Sequence, residues 1–241
     1  WRDVGTLDAY YAASMDLRLT LNILLNQVTA QRNVDAVGVL LFNPHAQTLT
    51  YDAGRGFRTD ALQHTRLQLG EGYAGRAALE RKLIYIPDLR GRKTDFLRSP
   101  HFSAEGFVAY YGLPLIAKGQ VKGVLEVFHR APLAAGPDWV SFLETLAGQA
   151  AIAIDNAQLF DNLQRSNVDL SLAYDATIEG WSRALDLRDH ETQGHTLRVT
   201  EITMRLAQAM NFGPAELAHI GRGALLHDIG KMGVPDEILH K

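Results

Sequence analysis

The sequence predicts an α+β domain, an antiparallel sheet with flanking helices, joined by a long connecting helix to an all-α C-terminal half. Three observations predict this order. Apolar runs of strand length, with hairpin signals between them, fill the stretch before residue 130. From Asp138 to Leu187 there is no proline and only two glycines, Gly148 and Gly180, so the residues that end helices are scarce. Beyond residue 194, apolar residues recur at three- and four-residue intervals, the period of a helix with one buried face.

Taking the elements in order, Leu17, Leu21, Leu24, Leu25 and Val28 keep helical spacing between Asp16 and Gln31, with Asp16 placed to cap the amino end. Val37 to Phe42 is apolar on both faces and stops at Asn43-Pro44, so it reads as a central strand covered on both sides. Leu49, Tyr51 and Ala53 alternate with polar residues, as expected of its antiparallel partner. Thr65 to Leu69 alternates like a half-exposed strand and leads into Gly70-Glu71-Gly72-Tyr73-Ala74-Gly75. That string satisfies the glycine fingerprint of dinucleotide-binding folds, with Asp88 near the position of the ribose-binding acid. The fingerprint needs a buried parallel strand before it, and the half-exposed pattern argues against a nicotinamide cofactor. After a long middle loop, Tyr110–Ala117 and Val121–His129 flank Lys118-Gly119-Gln120, a second hairpin.

The 138–187 helix would approach ~75 Å at 1.5 Å per residue. Positions 143, 146, 150, 153, 157 and 160 keep a 3-4 spacing, and a second register runs through 163, 170, 174, 177, 181 and 184, with polar Asn167 on its seam. The change at 160–163 resembles a coiled-coil discontinuity. Up to residue 158 packing on its own domain explains the helix. From Asp161 to Asn167 it is too polar for such burial, so a parallel homodimer joined along 138–187 is expected.

The chemistry concentrates in two segments, Glu191-Thr192-Gln193-Gly194-His195 and His227-Asp228-Ile229-Gly230-Lys231. On a helix, Glu191 and His195 stack on one face at roughly 6 Å between Cβ atoms. Adjacent His227 and Asp228 would diverge by about 100°. Carboxylate oxygen with imidazole nitrogen suits Mn, Fe or Zn, and the spacing favours a multinuclear hydrolytic centre. Each residue has an ordinary reading beside this one. His195 continues the stripe Val199, Ile202, Leu206 and Ala209, and His227 the stripe Leu217, Ile220 and Ala224, so both fit a core. Lys231 could simply neutralise Asp228, which would sit in a last helical turn if Gly230 follows the helix. Two histidines and an unfavourably placed acid on adjacent helices together favour a site.

Composition narrows the class. Apolar residues make up 46% of 241 residues, enough for real cores. Net charge is −3 with 24 basic and 27 acidic residues and no basic tract, which argues against a nucleic-acid polymer as partner. No apolar run reaches the length of a membrane span, and a cytoplasmic location is expected. The absence of cysteine excludes disulfides, zinc-thiolate sites, cysteine-ligated iron–sulfur clusters and thioether-linked chromophores.

The strings "ALDLRDHETQGHTLRV" and "GRGALLHDIGKMGVPDEIL" resemble the N-terminal part of the HD-GYP domain of bacterial cyclic di-GMP phosphodiesterases. The resemblance implies that Glu191, His195, His227 and Asp228 are metal ligands, that Asp228 bridges two ions, and that Lys231 meets the substrate phosphate. Catalysis would rest on Asp228 and Lys231, with a divalent metal, Fe or Mn, as cofactor. His190 replaces the proline usual in that family. The family's later histidines, last aspartate and Gly-Tyr-Pro loop would lie beyond Lys241, and the chain starts at Trp1 without methionine. It reads as a piece of a longer protein, with the metal partial or absent and the piece inactive alone.

The strings "VDAVGVLLFNPHAQTLTYDAGRG", "LGEGYAGRAALERKLIYIPDL" and "GLPLIAKGQVKGVLEVFHR" look like a GAF domain, a small-molecule sensor and dimerisation module. A ligand of unassigned chemistry would lie under the loop from Asp88 to Phe107, against Phe96, Phe102, Phe107, Tyr110 and Tyr111, residues that equally suit an ordinary core. His45, His64, His101 and His129 have no partner spacing that would mark a haem site. The expected organisation is a GAF sensor over 1–160, a connecting signalling helix over 161–174 and a truncated HD-type phosphohydrolase over 175–241. The expected function is GAF-regulated hydrolysis of cyclic di-GMP. Two alternatives stand beside it: a degenerate HD half acting as a dimeric interaction module, and an HD hydrolase of another nucleotide.

Overall fold

The computed structural model describes residues 17, 19–30, 34–60, 62–90, 102–133, 136–188 and 194–239. Strands β1 (Ala36–Asn43), β2 (Thr48–Arg55), β3 (Arg66–Gln68), β4 (Ile84–Ile86), β5 (Ala109–Ala117) and β6 (Gln120–His129) form a six-stranded antiparallel sheet in the order β3-β2-β1-β6-β5-β4. The reason for the order is legible in β1, whose alternate residues are apolar in both directions. Val37 and Val39 face one core, with Leu21, Leu25 and Val28 of α1 (19–29) and Leu143, Leu146, Ala150 and Ile154 of α3 (Pro137–Arg188). Ala36 and Leu40 belong to the cores on the other side, with Tyr73, Ala74, Ala77 and Ala78 of α2 (Gly72–Glu80). Leu21, Leu25 and Leu143 are fully buried, each contributing about 1.5–3 kcal/mol by removal from water. Asp16 and Gln31, the expected ends of α1, lie outside the described residues, as do Phe96 and His101.

One strand departs from the sequence reading. Val39 pairs with Ala53 and Leu40 with Tyr51, so the β1/β2 register shifts and Asp52 is the extra residue of a bulge. Leu49 and Tyr51 therefore pack in the core under α2, whereas Ala53 packs in the core under α1 and α3. An inserted residue reverses the phase of everything after it, so the three do not share a face.

The middle of the first unit holds more structure than a long loop. β3 is an edge strand antiparallel to β2, as its half-exposed pattern implies, and β4 joins the opposite edge beside β5. α2 lies between them in sequence. Nine residues with two glycines, and a three-residue strand, are too short to show a period. The β3-α2-β4 passage is not a parallel βαβ unit, so the glycine string has no dinucleotide site to serve. Its glycines allow close packing instead: a Cβ on Gly75 would lie 2.6 Å from the Gln68 carbonyl oxygen, and the Gly70 N–H donates to the Gly75 carbonyl at 2.9 Å.

α3 is one helix of 52 residues, as the absence of proline predicts. The chain divides into two compact units, Trp1–Asn162 and Leu163–Lys241, with the limit inside α3. In the second unit α3 buries Ile178, Ser182 and Leu185 and leaves Leu163, Leu170, Tyr174 and Trp181 exposed. α4 (His195–Ala209), α5 (Pro214–Leu225), a 3-10 turn at Ile229–Gly233 and α6 (Asp236–Leu239) follow. Pro214 starts α5, and the Gly213 N–H donates to the Glu216 carboxylate at 2.9 Å, which fixes that start. Among the described residues no helix is long and apolar enough to cross a membrane.

A buried ion pair holds the first unit together on the α2 side. A 3-10 turn at Phe102–Glu105 places Glu105 where it is fully buried. Its carboxylate accepts the backbone N–H groups of Arg58 and Thr59 at 2.9 and 2.8 Å, the Thr59 hydroxyl at 2.6 Å and the Arg130 guanidinium at 3.2 Å. Burial pushes the carboxyl pKa up, but these donors outweigh it and hold it below the usual range. Glu105→Ala, which leaves the Arg58 and Thr59 N–H groups without their acceptor while Arg130 keeps Asp35 at 3.6 Å, is expected to cost about 1–3 kcal/mol in a denaturant titration. Because the folded pKa is depressed, the contribution is complete above the unfolded glutamate value of about 4.3 and fades as pH falls through the lower folded value. Glu105→Gln should therefore lose less stability than the parent between about pH 5 and 3.

Candidate metal centre

α5 stops at Leu225, with Leu226 as its C-cap, so His227 and Asp228 lie in the turn before Ile229–Gly233. The helical divergence expected of them does not apply. They converge, with His227 Nε2 3.3 Å from Asp228 Oδ2. Gly230 sits within the 3-10 turn rather than after a helix. His227 Nδ1 lies 2.9 Å from the Ala224 carbonyl oxygen. A carbonyl can only accept, so this bond places a proton on Nδ1, and a neutral ring would present its Nε2 lone pair to a metal.

His195 opens α4 directly after Gly194, whose φ of +82° suits glycine. Its ring centroid is 5.8 Å from that of His227, with the planes at 52°. One donor atom each from His195, His227 and Asp228 lies within 4.8 Å of the others. Opposite ligands at ~2.1 Å from a single ion are ~4.2 Å apart, so the widest pair must close slightly to share one ion, while the donor types suit a first-row divalent metal. Glu191 and His190 lie outside the described residues. Lys231 Nζ donates to Asp228 Oδ2 at 2.7 Å, so the simple ion pair is present as well, inside the same cluster. That hydrogen bond pulls the Asp228 carboxyl below its ordinary range against partial burial, and the two imidazoles act in the same direction as Lys231.

The stripe that made His195 look like a core residue is mostly outside the core, because Ile202 and Leu206 are 67% and 61% exposed. α4 buries Thr196 and Ala207 instead. On α5, Leu217 and Ala224 are buried as the stripe leading to His227 implies. The sequence reading passed over three polar ties in this unit. Thr196 donates to Asp186, Arg222 to Asp175 at 2.7 Å, and Arg188 to the segment 231–236. They join positions far apart in sequence, which no periodicity reports.

Of the four residues expected to line a sensor pocket, Phe102, Phe107 and Tyr110 share one aromatic cluster and Tyr111 lies apart from them. Phe107 stacks on Phe128 at 4.6 Å, Phe102 packs against both, and Tyr110 lies 5.3 Å from Phe128 with its hydroxyl donating to Glu126 at 2.8 Å. Tyr111 belongs to the core on the opposite face, under α1 and α3, stacked on Tyr85 at 4.6 Å. Burial and Tyr85 push its hydroxyl pKa up. Successive strand residues point to opposite faces, so Tyr110 and Tyr111 cannot share one pocket. His129 is buried edge-on between Tyr111 and Trp139.

A sheet covered on both faces leads through one long helix into a helical unit with a His/His/Asp group. The family profile described as "GAF domain" matches residues 14–155, more than half of the chain, and the chain belongs to that family. The profile described as "HD domain" matches 192–241. Among curated proteins, a cyclic di-GMP phosphodiesterase of Vibrio cholerae is 31% identical over 98 residues, covering 37% of this chain and 20% of the relative. One of Thermotoga maritima is 45% identical over 56 residues, covering 23% and 15%. The 3'3'-cGAMP-specific phosphodiesterase 3 of Vibrio cholerae is 31% identical over 124 residues, covering 48% and 27%. The chain thus spans about a quarter or less of the length of these relatives. Among solved structures, the GAF domain of an Acinetobacter phosphoenolpyruvate-protein phosphotransferase aligns with a TM-score of 0.54 at 23% identity, covering 66% of this chain and 97% of that one. A GAF domain/HD domain protein of Geobacter sulfurreducens aligns at 0.51 and 13%, covering 61% and 96%. At these identities the two share the fold.

Replacing His227 or Asp228 with Ala is expected to weaken Mn²⁺ binding by more than ~10-fold, the loss that removal of mere supporting groups already causes. Calorimetric titration of the three proteins checks this, and affinity in the parent should fall with pH as the ligands take up protons.

Proposed function

We propose that this chain is part of a bacterial signalling protein in which the GAF domain regulates metal-dependent hydrolysis of cyclic di-GMP by the HD half. The convergence of His195, His227 and Asp228 donor atoms within 4.8 Å, with Lys231 bonded to Asp228, carries the reading. The names of the Vibrio cholerae and Thermotoga maritima relatives support the substrate. A divalent Fe or Mn ion bound there supplies Lewis acidity and lowers the pKa of a bound water. The chain's residues divide the remaining work. His227, with Nδ1 against the Ala224 carbonyl, would present Nε2 to the ion, His195 a second imidazole and Asp228 a carboxylate. Glu191, four residues before His195, is assigned as a further carboxylate ligand. Lys231 keeps Asp228 ionised and supplies the positive charge that meets a phosphodiester oxygen.

The GAF unit is assigned the regulatory input, a small molecule of unassigned chemistry. The assembly we assign is a homodimer along 138–187, supported by the exposure of Leu163, Leu170, Tyr174 and Trp181 at near-heptad intervals. A second cyclic dinucleotide is favoured by one specific finding, the 3'3'-cGAMP-specific relatives.

In the Mn²⁺-loaded protein that carries this chain, Lys231→Ala is expected to raise KM for cyclic di-GMP about tenfold, from the loss of one charge-assisted hydrogen bond, while Asp228→Ala abolishes turnover. Assays in parallel with 3'3'-cGAMP rank the substrates, and absence of turnover of either dinucleotide by the parent refutes the assignment. For assembly, light scattering should give the dimer mass for the parent and the monomer mass for the double variant Leu163→Asp, Leu170→Asp; a parent monomer at micromolar concentration overturns the dimer.

A further inference from the structure

We propose that Arg188 is the positioning residue of the turn that carries Asp228 and Lys231. The proposal rests on reading His195, His227 and Asp228 as a metal centre. Arg188 ends α3, and its guanidinium donates to the carbonyl oxygens of Lys231 at 3.3 Å, Met232 at 2.7 Å and Val234 at 2.6 Å. It also donates to Asp236 Oδ1 through Nη2 at 2.7 Å and Nε at 3.0 Å.

Apart from those of Arg188, the bonds within the turn are short-range, such as the Lys231 N–H to the Asp228 carbonyl and the Val234 N–H to the Lys231 carbonyl. None of the residues in Ile229–Gly233 or Asp236–Leu239 is buried, so apolar packing does not define their path. Gly230 and Gly233 are exposed, and an added Cβ at either would meet nothing within 4 Å. Glycines in open space widen the range of backbone conformations that the turn can adopt. Three carbonyls and one carboxylate held by a single planar fork narrow it again. A lysine ammonium, with three donors on one atom, cannot span acceptors spread from Lys231 to Asp236.

The same end of α3 reaches the other segments that deliver donors. Asp186 accepts from Thr196, the residue after His195, and Asp175 accepts from Arg222 at 2.7 Å, on the helix that leads to His227. Each donor-bearing segment is thus tied to α3 by a polar contact, and the segment with Asp228 and Lys231 receives several backbone bonds from a single side chain. Displacement of this end of α3 would reach Asp228 and Lys231 through Arg188.

The test compares the parent with Arg188→Ala, Arg188→Lys and Asp236→Ala by amide hydrogen exchange and by Mn²⁺ titration. In Arg188→Ala, exchange over 229–236 should rise about tenfold with α4 and α5 unchanged, and Mn²⁺ affinity should fall about tenfold, the scale of lost supporting groups. Guanidinium ion at millimolar concentration should restore both, and Arg188→Lys should not. Unchanged exchange over 229–236, or equal loosening of α4 and α5, overturns the proposal. So does loosening of the turn with Mn²⁺ affinity intact. A parent that takes up no Mn²⁺ defeats the metal reading instead, while the exchange data still decide whether Arg188 holds the turn. Should Arg188→Ala fail to fold, Asp236→Ala removes two of the five bonds, and its exchange over 229–236 decides: faster supports the clamp, unchanged overturns it.

Discussion

The covering of the sheet on both faces is the constraint on which the first unit depends. β1 has no polar face, so it must lie inside the sheet with apolar layers above and below. One layer is α1 and the first turns of α3, and the other is α2 with the aromatic cluster around Phe107 and Phe128. A strand buried on both sides leaves no room for water to satisfy stray polar groups. Two of the buried acids are accordingly matched by cations, Glu105 by Arg130 with two backbone N–H groups and Asp155 by Lys118 and Lys122 at 3.0 and 2.7 Å, while Glu126 accepts from the Tyr110 hydroxyl.

The second unit is organised on a different principle. Few of its described residues are fully buried, and Ile202, Leu206, Met210 and Met232 are more than half exposed. Here hydrogen bonds from α3 take the positioning role that packing has in the sheet domain. The His195, His227 and Asp228 group has local bonds of its own, Asp228 accepting from Lys231 and His227 Nδ1 lying against the Ala224 carbonyl. Donors fixed by directional bonds can be presented to an ion without being sealed from solvent.

Much of this was legible in the residues. The apolar run of β1, the two-residue turn Lys118-Gly119 and the proline-free stretch of α3 each report a local preference, and local preference is what hydrophobic period and turn chemistry measure. The two segments that supply His195, His227, Asp228 and Lys231 were likewise marked by residue type and spacing. Less legible was anything that depends on where an element stops. The bulge at Asp52 sent Ala53 to the opposite core, and the end of α5 at Leu225 turned an expected divergence of His227 and Asp228 into convergence.

By itself, then, the sequence determined the class of each half, the course of the long helix and the donor chemistry of the site, since these follow from side-chain type and period along one element. Only the tertiary structure decided that Tyr110 and Tyr111 serve opposite cores, that the glycine string packs a helix against an edge strand, and that Arg188 grips carbonyls 43 to 46 residues further on. Such contacts depend on turn geometry and on the path of several elements at once, and a hydrogen-bonding side chain carries no periodic mark of a partner so distant in the chain.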